Sequence, residues 1–265
     1  MTARLAVLGA PIGHSRSPLL HAAAAEVLGL DWRYERVEVR EEGLAGFLSG
    51  LGPDWTGLSL TMPLKRAVLP LVGGHDPLVD RLGLANTVRL GRQPALFNTD
   101  VAGVEAVLRD RAGAERAVVL GAGATAASAL EALTRLGVPE RVVAARRPEQ
   151  ARHDLGGLAT AFEPLAEVDL DGADLVVSTL PAGADVPARL PDRLPGTPLL
   201  DVAYDPWPSA LGAAWCAAGG VLLHGLDMLV EQAVLQVRVF TGGPPEEPLP
   251  QEPAVRAAMR VAVGR

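Results

Sequence analysis

One lysine stands out in a chain that otherwise relies on arginine for positive charge. The 24 basic residues are 23 arginines and Lys65. Lysine can exchange its proton once burial or a neighbour lowers its pKa, whereas arginine stays protonated. A nearby carboxylate such as Asp100 would hold and orient that ammonium. We predict that Lys65 and Asp100 form a proton-transfer pair. The alternative is that Lys65 is a chance residue of an arginine-biased composition and that Asp100 only caps the helix after it.

Two groups of hydroxyl-bearing residues have the spacing of a binding site for a small polar molecule. Ser15 and Ser17 are two positions apart, so in an extended segment both face the same side and can bind one anion. Ser59 and Thr61 likewise share one face of a short predicted strand that leads to Lys65. Ser17 also has a structural alternative, because a serine before Pro18 is typical of a helix N-cap.

A glycine-rich turn in the middle of the chain has the pattern of a dinucleotide-binding site. It follows an apolar strand and opens a helix. In such a turn Gly121 permits the tight bend, Gly123 lets a pyrophosphate approach the backbone, and Ala126 allows close helix packing. The cofactor-binding residues predicted from this pattern are Gly121, Ala122, Gly123, Ala124, Thr125 and Ala126. A tight turn without a ligand is the alternative.

The end of the next predicted strand favours NADP over NAD. NAD sites carry an acidic residue about 20 positions after the glycines, where it binds the ribose hydroxyl. This chain has Arg146 and Arg147 there. Two guanidiniums suit a 2′-phosphate and offer no acceptor to the hydroxyls. We predict NADP as the cofactor; otherwise the two arginines only begin a solvated helix.

The elements that must position these residues alternate between strands and helices, which indicates an α/β fold with a parallel sheet in the middle of the chain. The predicted strands lie at 4–8, 33–39, 57–61, 117–120, 141–145, 174–179 and 199–203. The predicted helices lie at 18–28, 124–136 and 226–240, with a proline-rich linker at 242–253 before a last short helix.

Composition and charge exclude several classes of protein. A formal charge of −7 gives no support to nucleic-acid or anionic-membrane binding, which need clustered positive charge. No segment has the roughly 20 apolar residues of a membrane helix. The single cysteine, Cys216, and an N-terminus without a long apolar run predict a cytoplasmic protein. The five histidines lack zinc-type spacing, so no metal is expected, and no G-x-S-x-G motif indicates a hydrolase.

Several short motifs together point to a known family. They are Gly9-x-Pro11-Ile12-x-His14-Ser15-x-Ser17-Pro18-x-x-His21, Thr61-x-Pro63-x-Lys65, Ala85-Asn86-Thr87, Asn98-Thr99-Asp100-x-x-Gly103, Ser178-Thr179-Leu180-Pro181-Ala182-Gly183, Asp201-Val202-Ala203-Tyr204-Asp205-Pro206 and Gly225-Leu226-x-Met228-Leu229-x-x-Gln232-Ala233. In this order, from residue 9 to residue 233, they resemble the shikimate dehydrogenase (shikimate/quinate dehydrogenase) family.

The resemblance implies a fold and an activity. The fold would be a two-domain α/β structure with a cleft between the domains. A βα substrate-binding domain would comprise residues 1–100 and 226–265, and a Rossmann-like NADP-binding domain residues 101–225. The activity would be the reversible NADPH-dependent reduction of 3-dehydroshikimate to shikimate, a step of chorismate and aromatic amino-acid biosynthesis. The partners would be small molecules, with no nucleic acid or membrane, and the protein a monomer or homodimer.

The resemblance also implies roles for individual residues. Ser15 and Ser17 would bind the substrate carboxylate, and Lys65 would pair with Asp100 for proton transfer. The other substrate-binding positions would be Ser59, Thr61, Asn86, Asp100, Tyr204 and Gln232. The further cofactor-binding positions would be Thr179, Gly225 and Met228, with Tyr204 beside the nicotinamide.

Three departures from the family pattern bear on specificity. Ser59 stands where the family usually has asparagine, Ala124 replaces the second glycine of the GAGG turn, and Arg146-Arg147-Pro148 replaces Asn-Arg-Thr. Substrate scope and the choice of phosphate-binding arginine are therefore open. Two alternatives remain: a quinate/shikimate dehydrogenase that uses NAD, and a ligand-binding relative that has lost turnover.

Overall fold

The computed structural model describes residues 2–181, 183–184, 190–191 and 194–265. The chain forms two compact units, each built on its own six-stranded sheet. The first unit comprises the residues up to Thr99 together with Val230–Arg265, and the second comprises Asp100–Leu229. The predicted α/β fold with a Rossmann-like parallel sheet is confirmed.

The first unit contains a mixed sheet. Its strands are β1 (Ala3–Gly9), β2 (Trp32–Glu38), β3 (Trp55–Leu60), β4 (Gly74–His75), β5 (Thr87–Arg89) and β6 (Ala95–Phe97). Its helices are α1 (Ser17–Leu28), α2 (Glu41–Ser49), α3 (Leu64–Ala67) and α4 (Pro77–Leu82), with a 3₁₀ turn at Leu69–Leu71. The strand order is β2-β1-β3-β5-β6-β4. β1 pairs in parallel with β2 and β3, whereas β5 is antiparallel to β3 and β6.

The second unit contains a parallel sheet with helical crossovers. Its strands are β7 (Arg116–Leu120), β8 (Glu140–Ala145), β9 (Ala161–Pro164), β10 (Leu175–Ser178), β11 (Pro198–Asp201) and β12 (Val221–His224). Its helices are α5 (Asp100–Leu108), α6 (Ala124–Arg135), α7 (Pro148–Leu155) and α8 (Ala210–Ala217), with a 3₁₀ turn at Arg109–Arg111. The order β9-β8-β7-β10-β11-β12 and the all-parallel pairing are those of a Rossmann-type dinucleotide-binding sheet. The central strands β7 and β10 are buried, apart from Arg116 at the start of β7, because helices cover both faces of such a sheet.

Two C-terminal helices complete the first unit. Helix α9 (Gly225–Phe240) starts in the second unit and ends in the first, and α10 (Glu252–Ala262) packs against α1. Arg238 donates to both carboxylate oxygens of Glu252 at 2.7 and 2.8 Å. Arg256 bridges Glu252 and Glu231. These charges are largely buried and mutually paired, so they tie α10 to the end of α9.

Most predicted elements lie within a few residues of the observed ones. Sequence reasoning missed β4, β5, β6, β9 and β12, all of which are four residues or shorter. The prediction of Ser17 as a helix N-cap is wrong. Ser17 is the first residue of α1 and Arg16 occupies the cap, with its carbonyl accepting from the backbone N–H groups of Leu19 and Leu20. None of the helices in the described ranges combines the length and apolar character needed to cross a membrane.

Candidate active site

The two predicted anion-binding serines are brought together in the first unit. Ser15 and Ser17 are 93% and 95% buried, and their hydroxyl oxygens are 3.3 Å apart. The Ser17 N–H donates to Ser15 Oγ at 3.3 Å, and Arg36 Nε donates to the Ser15 carbonyl at 2.7 Å. These two hydrogen bonds hold the backbone of the loop between β1 and α1 in place. The two hydroxyls lie side by side.

An aromatic pair, the buried His21 and the partly buried Tyr34, lies next to these serines. The imidazole of His21 stacks on the ring of Tyr34 with 4.1 Å between ring centroids. Burial lowers the pKa of His21 to about 4, although a hydrogen bond with the Ser17 carbonyl opposes the shift. His21 Nδ1 is 2.9 Å from that carbonyl, which can only accept, so Nδ1 carries the hydrogen of the neutral ring. Burial also raises the pKa of Tyr34, which stays a neutral donor.

A cluster of amides and hydroxyls surrounds Asn86, the residue that precedes β5. Asn86 Nδ2 donates to Thr99 Oγ1 at 2.9 Å and to Gln232 Oε1 at 3.3 Å. Asn86 Oδ1 accepts from the Thr99 N–H and from the Thr87 hydroxyl, both at 2.9 Å. The two predicted ring-hydroxyl ligands Asn86 and Gln232 are therefore direct neighbours, although the sequence separates them by 146 positions.

Ser59 and Thr61 differ in what they can offer a ligand. Ser59 is 97% buried at the end of β3; it accepts from Tyr34 Oη at 2.7 Å and donates to Gln236 Oε1 at 2.8 Å. Its only hydrogen is thus used within the chain. Thr61 lies just beyond β3 and is half-buried. The methyl group of Thr61 lies so close to Gly9 that a Cβ at Gly9 would overlap it, which accounts for the glycine there.

The predicted acid/base residues come from different elements. Lys65 is half-buried in α3 of the first unit. Asp100 is 94% buried and is the first residue of α5 in the second unit. The proton-transfer role of the pair remains a prediction.

The glycine-rich turn of the second unit has the backbone that its sequence predicts. Gly121 has φ of +105°, a region that favours glycine, and a Cβ there would overlap the hydroxyl of Thr179. Thr179 Oγ1 donates to the Leu120 carbonyl at 2.9 Å, which joins the end of β7 to the residue after β10. Gly123 is the N-cap of α6, is exposed, and has open space where a Cβ would lie. Ala122, Ala124 and Thr125 are partly exposed around that helix N-terminus, and Ala126 is buried beneath it.

The two arginines predicted to select NADP follow the neighbouring strand. Arg146 and Arg147 lie between β8 and α7, and both are exposed. β8 pairs in parallel with β7, the strand that leads into the glycine turn. Both guanidiniums therefore leave the same edge of the sheet as the turn, as a site for an adenosine ribose phosphate requires.

The remaining predicted positions lie at the same edge of the second sheet. Asp201, at the end of β11, accepts from the Ser209 hydroxyl and from the Ala203 N–H, so it ties both ends of the loop that carries Tyr204. Burial raises the pKa of Asp201, and these hydrogen bonds oppose that shift. A Cβ at Gly225 would overlap the carbonyl oxygens of Asp201 and Val202, and Met228 is 93% buried in α9. Ala182, part of a family motif, lies outside the described residues.

Four residues to which sequence reasoning gave no role support the first unit's polar cluster, although two of them, Thr87 and Thr99, lie in the family motifs. Tyr34, Thr87, Thr99 and Gln236 each make hydrogen bonds to a predicted site residue. Gln236 had a detectable signal, because it follows Gln232 by one helical turn and so shares its face. Within the described ranges, no group of three or more histidine, cysteine or acidic side chains is arranged to hold a metal ion.

Comparison with known proteins confirms the resemblance. The model of the "shikimate dehydrogenase substrate binding domain" matches residues 7–88. A shikimate dehydrogenase (NADP(+)) from Anaeromyxobacter sp. is 37% identical, with 100% of this chain and 98% of the relative covered. The chain belongs to the shikimate dehydrogenase family.

Solved structures of the family agree in fold over nearly the whole chain. Shikimate dehydrogenase from Mycobacterium tuberculosis is 39% identical with a TM-score of 0.81, covering 98% of this chain and 99% of that one. The enzyme from Thermus thermophilus, solved in complex with NADP(H) and shikimate, is 32% identical with a TM-score of 0.82, covering 98% and 99%. Both sheets of this protein thus have counterparts in the family.

Proposed function

We propose that this protein is an NADP-dependent shikimate dehydrogenase that reversibly reduces 3-dehydroshikimate to shikimate. The main support for the proposal is similarity over the whole chain to relatives named for this activity. The polar residues of the family motifs are also present, except that Ser59 replaces the usual asparagine. The hydroxyl and amide groups of these residues cluster in the first unit. Its place in metabolism is then the biosynthesis of chorismate and the aromatic amino acids.

The first unit is proposed to bind the substrate. Ser15 and Ser17 suit a carboxylate, because two hydroxyls 3.3 Å apart can donate to its two oxygens. Asn86 and Gln232 suit ring hydroxyls, which can both donate and accept. A site built to hydrogen-bond a hydroxyl discriminates strongly against analogues that lack it, since its own polar groups are then left unpaired.

The second unit is proposed to bind NADP. The open space at Gly123 admits a pyrophosphate against the backbone at the N-terminus of α6, where the helix dipole favours an anion. Arg146 and Arg147 are proposed to hold the 2′-phosphate, and Thr179, Tyr204, Gly225 and Met228 to border the cofactor. When bound, the reduced cofactor supplies the hydride.

Lys65 and Asp100 are proposed to handle the proton. In the reducing direction the oxygen at C3 gains a proton as the ketone becomes an alcohol, and Lys65 Nζ donates it. In the oxidising direction the same amine accepts it back. The carboxylate of Asp100 is proposed to orient the ammonium and to contact the substrate hydroxyls.

The cytoplasm is the proposed location, which the single cysteine favours. The proposed assembly is a monomer or a homodimer. Light scattering after gel filtration distinguishes the two.

The decisive experiment is an absorbance assay at the nicotinamide band with purified protein. Shikimate and quinate are each tested with NADP⁺ and with NAD⁺. The proposal predicts the highest kcat/KM for shikimate with NADP⁺. Preference for quinate with NAD⁺ would instead identify a quinate/shikimate dehydrogenase, and shikimate binding without turnover would identify a non-catalytic relative.

A further inference from the structure

Gln236 is a buried polar residue that lies outside the family motifs found in the sequence. It is 98% buried on α9, one turn beyond Gln232. Gln236 Oε1 accepts from Ser59 on β3 at 2.8 Å. Gln236 Nε2 donates to the Asn86 carbonyl at 3.2 Å and to Thr87 Oγ1 on β5 at 3.1 Å. One side chain therefore ties the helix that carries Gln232 to two strands of the first sheet.

Fixed backbone groups set the direction of these hydrogen bonds. The Asn86 carbonyl can only accept, so the end of Gln236 that faces it must be the amide nitrogen, and its oxygen must face Ser59. Because Gln236 Nε2 donates to Thr87 Oγ1, the Thr87 hydroxyl directs its own hydrogen to Asn86 Oδ1. The chain of donors thus begins at Tyr34 and passes through Ser59, Gln236 and Thr87 to Asn86.

This series of hydrogen bonds, together with the Thr99 N–H that donates to Asn86 Oδ1, determines the orientation of the Asn86 and Gln232 amides. With Asn86 Oδ1 turned toward Thr87, Asn86 Nδ2 faces Gln232. Nδ2 can only donate, so Gln232 presents its oxygen to Asn86 and holds its NH₂ group on the opposite side of the amide. Buried amides joined in this way have one consistent orientation, because reversing one would place two donors or two acceptors face to face.

We infer that Gln236 is a positioning residue, which fixes the register of α9 against β5 and thereby the orientation of the Asn86 and Gln232 amides toward the hydroxyls of the substrate. The inference rests on the proposed function, since it concerns the same substrate. Ser59 fits this role, because its hydroxyl connects Tyr34 to Gln236. The family usually has an asparagine at position 59. In this protein the amide next to that position is the side chain of Gln236 on α9.

The test compares Gln236→Met, which keeps the length of the side chain and removes its hydrogen bonds, with Leu235→Met at the adjacent half-buried position. The KM for shikimate is expected to rise about tenfold in Gln236→Met, the scale of one lost positioned hydrogen bond. The dissociation constant for NADP⁺, measured by fluorescence titration, should stay unchanged, because Gln236 lies in the first unit. Leu235→Met should leave both values unchanged.

A double-mutant cycle separates positioning from folding. If Gln236 acts through Gln232, the Gln236→Met change should add little to KM in a Gln232→Ala background. A purely structural role would instead lower the melting temperature and the active fraction at unchanged KM, and that result would overturn the inference. If Gln236→Met does not fold, Thr87→Val interrupts the same chain with a side chain of the same shape and should raise KM likewise.

The wild-type assay keeps the two proposals distinguishable. Absence of turnover with shikimate in the wild-type protein contradicts the proposed function itself. Wild-type turnover with an unchanged shikimate KM in folded Gln236→Met or Thr87→Val contradicts only the positioning role.

Discussion

At the scale of single residues, the strongest constraint is the choice of lysine at position 65. The protein uses arginine for every other cationic position, yet an arginine would keep its proton throughout the reaction. We therefore expect Lys65→Ala to lower kcat about a hundredfold or more, the usual effect of losing a general acid/base group. Lys65→Arg should not restore kcat, although it restores the charge.

The control for Lys65 is its neighbour on α3. Arg66 is exposed, and Arg66→Ala should leave steady-state kinetics unchanged. If Lys65→Arg recovered most of the wild-type kcat, or if Lys65→Ala changed only KM, Lys65 would be a charged contact to the substrate and the proton would come from elsewhere.

Arg146 and Arg147 are expected to set cofactor preference. Removal of both guanidiniums should raise the KM for NADPH about ten- to a hundredfold, because hydrogen bonds to a charged phosphate are among the stronger polar contacts. The KM for NADH should change little, since NADH has no 2′-phosphate. Arg152→Ala is the matched control, because Arg152 lies on α7 over the ring of Phe162. Equal effects of the double variant on both cofactors would contradict phosphate recognition.

At the scale of elements, the two glycines of the turn before α6 have different physical tasks. Gly121→Ala places a side chain at φ +105° and against Thr179, so it should lower the free energy of unfolding by about 1–3 kcal/mol. Gly123→Ala meets open space at an ordinary φ of −85° and should leave stability nearly unchanged. It should nevertheless weaken NADP⁺ binding, because the methyl group occupies the space proposed for the pyrophosphate.

Urea unfolding and NADP⁺ titration of both variants check this difference. Retained wild-type affinity for NADP⁺ in Gly123→Ala would show that the cofactor does not approach the backbone at that glycine.

The length of each element and the local sequence pattern within it explain how much of the structure could be predicted. Strand β7, the turn and α6 were predicted because a continuous apolar run, two glycines and a helical pattern are local signals. Strands β4 to β6 have two or three residues each, too few for any period to show. The structure places Ser15 beside Ser17 and Asn86 beside Gln232, and the roles of these residues remain predictions. The Ser59–Gln236 bond joins positions 177 apart, and no local pattern encodes such a contact.

In the whole molecule, each unit contains a buried titratable group, and the two groups have opposite effects on the stability of their units as the pH falls. In the first unit, the pKa of His21 is lowered from 6.5 to about 4 by burial. The unfolded chain therefore binds a proton at this histidine more readily than the folded protein does. The free energy of unfolding falls by about 3 kcal/mol as the pH falls from about 6.5 to about 4. Burial alone would raise the pKa of Glu252. Its hydrogen bonds with Arg238 and Arg256 outweigh burial and hold that pKa below its usual range. Its stabilisation is lost at still lower pH.

In the second unit, Asp201 has the opposite effect on stability in acid. Burial raises the pKa of its carboxyl group, so the folded unit binds this proton more readily than the unfolded chain. Protonation of Asp201 therefore favours the folded second unit as pH falls through the raised value. We expect the first unit to lose its structure first when the protein is acidified from pH 7 toward pH 4.

Hydrogen exchange followed by mass spectrometry resolves this order, because peptides from β1 to β3 and from β7 to β11 report on separate units. Protection should fall first in the former set. His21→Gln removes the titrating ring and should flatten the loss between pH 6.5 and 4, whereas His153→Gln, at an exposed position on α7, should not. Earlier loss of protection in the β7 to β11 peptides would mean that His21 does not control acid stability, because an imidazole that titrates near its ordinary pKa contributes no such dependence on pH.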